Sequence, residues 1–135
     1  MEFIVSHGTK SAGLPFSDGV RVGDVLCLSG QIGNVPGRME LVSGGLEGET
    51  RQMMENIARI LNAACLSFDD VFKCVVMLAD ISQWAEFNKI YVSYFKPGCL
   101  PARSAFGATG LALGATVEME CWAWAGKTHP SAAAA

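Results

Sequence analysis

The segment Val117-Glu-Met-Glu-Cys-Trp-Ala-Trp124 alternates strictly, and only one local structure fits that alternation. Val117, Met119, Cys121 and Ala123 fall on one side, Glu118, Glu120, Trp122 and Trp124 on the other. Successive side chains of a strand point to opposite faces, so this is a β-strand with one apolar face for a core. A different period governs residues 46–65. Leu46, Met53, Ile57, Ile60, Leu61 and Ala64 recur at helical spacing, with Arg51, Glu55, Asn56, Arg59 and Asn62 on the other side. That is an amphipathic helix. The chain must therefore bury a helix stripe against a sheet face.

The remaining segments extend the pattern. Phe3 to Ser6 reads as a short edge strand, and residues 20–32 as strand, Gly-Asp turn, strand. Residues 33–45 carry Gly, Asn and Pro and read as a loop with one short strand. Residues 70–79 are rich in β-branched groups and predict a strand. Residues 82–95 return to a helical period, with Ser82 as N-cap and Pro97-Gly98 as terminator. Residues 101–107 and 116–125 are two more strands, joined by a Gly-rich link. The expected class is α+β: a single, mostly antiparallel sheet with two helices on one face.

At 135 residues the chain holds one domain, expected over 1–126, with 127–135 as a flexible tail. Half of its residues are hydrophobic and only 17% are charged, below the usual share of about 25%. So few charges cover a small globule poorly, and part of the apolar surplus is expected in a subunit interface. The net charge of −3 offers no large basic patch, which speaks against nucleic acid or an acidic membrane surface as partner. Five cysteines, an odd number without CxxC spacing, fit a reduced cytoplasmic protein. Neither a signal peptide nor a transmembrane helix is expected.

The two histidines, His7 and His129, sit near opposite ends. A zinc site or a Cys-His nucleophile pair needs more convergence. The Gly-rich stretch Ser43 to Gly48 before the first long helix carries Glu47, which would repel a phosphate. In the second helix Trp84, Phe87, Tyr91, Tyr94 and Phe95 form an aromatic stripe with Asn88 at its edge. Asn88 is either a boundary residue of a core helix or an amide at the rim of a cleft. Arg103 stands among apolar and small neighbours in Leu100-Pro-Ala-Arg-Ser-Ala-Phe106. A guanidinium there must find an anion. The candidates are Glu118 or Glu120, on what is expected to be the neighbouring strand, or a ligand carboxylate gripped by the planar fork. Glu118 and Glu120 share a strand face with two tryptophans, surroundings that raise a carboxylate pKa and suit general acid-base work.

Pro101-Ala-Arg-Ser-Ala-Phe106, followed by Val117-Glu-Met-Glu120, resembles the C-terminal signature of the Rid family, also called YjgF or L-PSP proteins. Leu28-Ser-Gly-Gln-Ile32 resembles the family's SGQ strand, Phe87-Asn-Lys-Ile-Tyr91 its helix pattern, and Gly13-Leu-Pro-Phe16 its N-terminal segment. The resemblance runs from about residue 10 to 125. It implies a chorismate-mutase-like fold and a homotrimer with ligand clefts between subunits. It implies hydrolysis of reactive enamines or imines of amino-acid metabolism to a 2-oxo acid and ammonia, with no metal or organic cofactor. Arg103 matches the arginine that holds the substrate carboxylate, and Glu118 the glutamate that activates water. Ser29 and Gly30 match the cleft wall, and Asn88 the amide at the rim. Ala105 stands where many members have Cys, and Phe16 where many have Tyr. Other classes stay open: a non-catalytic binder of small carboxylates, a related hydrolase of another metabolite, and an endoribonuclease or translation inhibitor.

Overall fold

The computed structural model describes residues 1–126. The expected tail, with His129, lies outside the described residues. Six strands form one sheet: β1 (Glu2–Ile4), β2 (Gly19–Val22), β3 (Val25–Leu28), β4 (Val71–Leu78), β5 (Ala102–Gly107) and β6 (Val117–Trp124). Their spatial order is β1-β2-β3-β6-β4-β5. Every pairing is antiparallel except β4 with β5. The helices are α1 (His7–Ser11), α2 (Gly45–Ala63) and α3 (Trp84–Tyr91). The α+β expectation therefore holds, with the short α1 added.

The alternation of β6 decides which side of the sheet is dry. Val117, Met119, Cys121 and Ala123 are buried, as are Cys74, Val76 and Leu78 on β4. Against them lie Met53, Met54, Ile57 and Leu61 of α2 and Phe87 of α3, all without solvent exposure. Burial of this apolar surface, worth about 25 cal/mol per Å², holds the layers together. The other sheet face stays open and carries Phe72, Phe106, Trp122 and Trp124, each at least 40% exposed.

Three details depart from the sequence reading. The cap residue before α3 is not Ser82. Asp80 instead accepts from the Ser82 amide and opens a 3-10 turn that runs into the helix. Asn56, assigned to the polar side of α2, is buried, because its amide bonds the carbonyls of Ile32 and Asn34 in the loop above it. Finally, β6 is not the neighbour of β5; β4 lies between them. A parallel pairing needs a crossover connection, and α3 supplies it between β4 and β5.

Two buried contacts fix the start of β6. The Glu49 carboxylate of α2 accepts from the Thr116 amide at 2.9 Å and is itself only 5% exposed. The Gln31 and Met119 backbones exchange hydrogen bonds at 2.9 and 3.0 Å. Residues 29–31 are thereby held alongside Glu118.

Candidate functional site

Arg103 rises from the edge strand β5 toward the helices. Its register partner is Cys74, which is buried in the core. The guanidinium lies 4.8 Å from the Tyr91 ring centroid, 5.7 Å from Trp84 and 5.8 Å from Phe87. Three residues at i, i+3 and i+7 of α3 thus make an aromatic cage around one cation, each ring within cation–π range. Among the described residues Arg103 forms no ion pair. Glu118 and Glu120, the internal partners considered from sequence, are excluded by topology: they sit across β4 and project from the opposite face.

Asn88 belongs to the same stripe of α3, one residue beyond Phe87. Its side-chain oxygen is buried and has no donor within the described residues. An orphaned buried acceptor costs roughly 1–3 kcal/mol. Ala105 follows Arg103 on the same face of β5, half-buried.

Glu118 lies on the open face. Burial, and then the nearby Glu120, push its carboxyl pKa above the ordinary value of 4.5. Both causes disfavour the ionised form. Gly30 lies directly against this group: a Cβ at position 30 would overlap the Glu118 Oε1. Only glycine leaves the carboxylate where it is. Ser29, beside Gly30, donates its hydroxyl to the Ser17 carbonyl at 2.6 Å, tying this wall to the loop that carries Phe16. Phe16 itself is 48% exposed.

The candidate residues therefore fall into two groups. Arg103, Ala105 and Asn88 gather at the β5–α3 edge, on the helix side. Glu118 and Gly30 meet on the far side of the sheet, with Ser29 and Phe16 on the adjoining loop. Within one chain the two groups do not converge. Sequence reasoning missed the role of Trp84, Phe87 and Tyr91 around the guanidinium. Their helical spacing was visible, but nothing in it says which strand they face.

Comparison with known proteins gives this arrangement its context. The family model described as Endoribonuclease L-PSP matches residues 9–125. The 2-iminobutanoate/2-iminopropanoate deaminase of Mus musculus is 41% identical over 106 residues, 78% of this chain and 78% of that protein. The Homo sapiens protein of the same name is 42% identical over 106 residues, 78% of this chain and 77% of its own length. Among solved structures, RidA from the Antarctic bacterium Psychrobacter sp. PAMC 21119 is similar with a TM-score of 0.83 and 34% identity, over 92% of this chain and 99% of that one. The match spans every strand and helix except β1 and the first residues of α1, and the chain belongs to the L-PSP family, known also as Rid or YjgF.

Proposed function

We propose that this protein hydrolyses small reactive imines or enamines bearing a carboxylate, releasing a 2-oxo acid and ammonia. The observation that carries the reading is the half-buried Arg103 guanidinium, caged by Trp84, Phe87 and Tyr91 and left without an acidic partner among the described residues. A planar fork of this kind takes a carboxylate bidentately. The grip fixes orientation as well as position.

The site is completed between copies of the chain. Arg103 and Glu118 lie on opposite faces of the sheet, so a neighbour's Glu118 must meet this chain's Arg103. The open face, with Phe72, Phe106, Trp122 and Trp124 exposed, is the apolar surface that such assembly would cover. A homotrimer, closed by three equal interfaces, gives each site one arginine half and one glutamate half. The orphaned Asn88 oxygen then accepts a donor from the substrate or from the neighbouring wall.

In the reaction the imine carbon lies beside the Glu118 carboxylate. Glu118 takes a proton from water as the oxygen attacks that carbon, and the electron pair of the C=N bond moves to nitrogen. Glu118 returns that proton to the nitrogen, giving a carbinolamine, and then carries the carbinolamine's hydroxyl proton to the amine as it departs. The C–N bond breaks, the carbonyl forms and ammonia leaves. No redox step is required. The five free cysteines, two of them exposed, suit a reducing compartment such as the cytoplasm.

The test is direct: supply 2-iminopropanoate and follow pyruvate and ammonia. Release well above the buffer rate is expected; a folded protein that leaves the buffer rate unchanged overturns the reading.

A further inference from the structure

A cavity of about 330 Å³ opens where α1, the 33–42 loop and α2 meet. None of the residues assigned to imine chemistry lines it. His7, Arg38 and Arg59 do. The chain has five arginines. Arg21 and Arg51 pair with Asp24 and Glu47, and Arg103 sits in its aromatic cage. The other two both border this cavity, both are exposed, and neither forms an ion pair among the described residues. In an acidic protein, two unpaired guanidinium groups and an imidazole on one concave surface are a concentration of positive character with no internal counterpart.

The framework under them is fixed. Asn56, one turn before Arg59 on α2, donates to the Asn34 carbonyl at 3.1 Å. Asn34 in turn donates to the Arg38 carbonyl at 3.1 Å. The Arg38 amide donates to Val35 at 2.9 Å, and the Val35 amide to Glu40 at 2.8 Å. At Gly8 of α1 a Cβ would lie 3.0 Å from the Gly37 Cα, so helix and loop touch backbone to backbone. The one acid on the wall, Asp18, is buried and already accepts from the Thr9 hydroxyl and the Ser6 amide. The backbone that carries these side chains is therefore set before a ligand arrives, which lowers the ordering cost of binding.

We infer that this cavity is a second binding site, for a small molecule carrying a phosphate group. Two guanidinium forks and an imidazole line one cavity, a donor set that suits the three outer oxygens of a phosphomonoester better than the two of a carboxylate. The volume lies at the small end of ligand sites, which run from about 300 to 1,000 Å³, so the ligand is a metabolite rather than a polymer. The inference does not depend on the imine reading.

The experiment titrates the full-length protein with inorganic phosphate and with glycerol 3-phosphate, following backbone amide resonances of Asn34, Gly37 and Arg38 at constant ionic strength. Malonate serves as the dicarboxylate arm. Saturable millimolar or tighter binding of both phosphates is expected, with malonate weaker. Arg38→Gln and Arg59→Gln should each weaken binding about tenfold or more, the size of one lost charge-assisted hydrogen bond. Both side chains are exposed, so the variants fold. Shifts that do not saturate, affinities unchanged in both variants, or malonate binding tighter than phosphate would each overturn the assignment.

Discussion

Arg103 and Glu118 project from opposite faces of one sheet, with β4 between their strands. Under the function we propose, the carboxylate anchor and the water-activating acid of a single copy therefore serve different substrate molecules. Each residue is nonetheless placed with care. Arg103 sits in a cage of three rings, and Glu118 sits against a residue without a side chain.

We predict that Arg103→Ala abolishes measurable turnover of 2-iminopropanoate without unfolding the protein. The guanidinium makes no ion pair among the described residues, so its removal strands no buried acid there. Arg103→Lys should restore charge without the fork and recover only part of kcat/KM. A wild-type rate in Arg103→Ala removes the proposed anchor.

Glu118→Gln should slow turnover by about 10²- to 10⁴-fold, the range for a lost general acid-base group. The wild-type rate should rise with pH as Glu118 ionises, with a midpoint above 4.5 because burial and Glu120 raise its pKa. Stability runs the other way. The folded chain holds the Glu118 proton more tightly than the unfolded chain does. Stability is thus greater below the ordinary carboxylate range and declines as pH rises through the raised pKa. Thermal melts should show Glu118→Gln gaining on the wild type between acid and neutral pH, and a constant difference across that range would contradict the raised pKa.

Gly30 and Gly33 separate activity from stability. At Gly30 a new Cβ overlaps the flexible end of Glu118; at Gly33 it overlaps the Glu49 backbone. Gly30→Ala should displace the carboxylate and lower kcat while melting near the wild type. Gly33→Ala cannot be relieved by a rotamer and should cost roughly 1–3 kcal/mol or more, as overpacking does. Chemical denaturation and kinetics on both variants check the contrast.

Glu49→Ala should destabilise the protein by about 1–3 kcal/mol, because the Thr116 amide at the head of β6 loses its acceptor. Urea unfolding measures this.

The strands and α2 were legible because their apolar periods, two and 3.6, mark a face directly. Val117 to Trp124 reads as a strand from alternation alone, and its buried face is the one the pattern names. Strand order was not legible: β4 could take β5 or β6 as neighbour, or both, and nothing local decides between them. That ambiguity is why an internal partner for Arg103 stayed open until the topology closed it. The exposed Trp84 and the buried Asn56 depended likewise on contacts far apart in sequence. The cavity beside Arg38 and Arg59 left no signal at all, since its walls come from three separate segments.

The central claim is that each site is shared between two copies. Arg103→Ala and Glu118→Gln, each severely impaired alone, should be unfolded together, refolded as a mixture and assayed. Random assembly places an intact arginine opposite an intact glutamate in about a quarter of the sites of a cyclic oligomer, so about that share of wild-type activity should return. Mixed oligomers, verified by mass, that show no activity beyond the sum of the two parents would contradict the account.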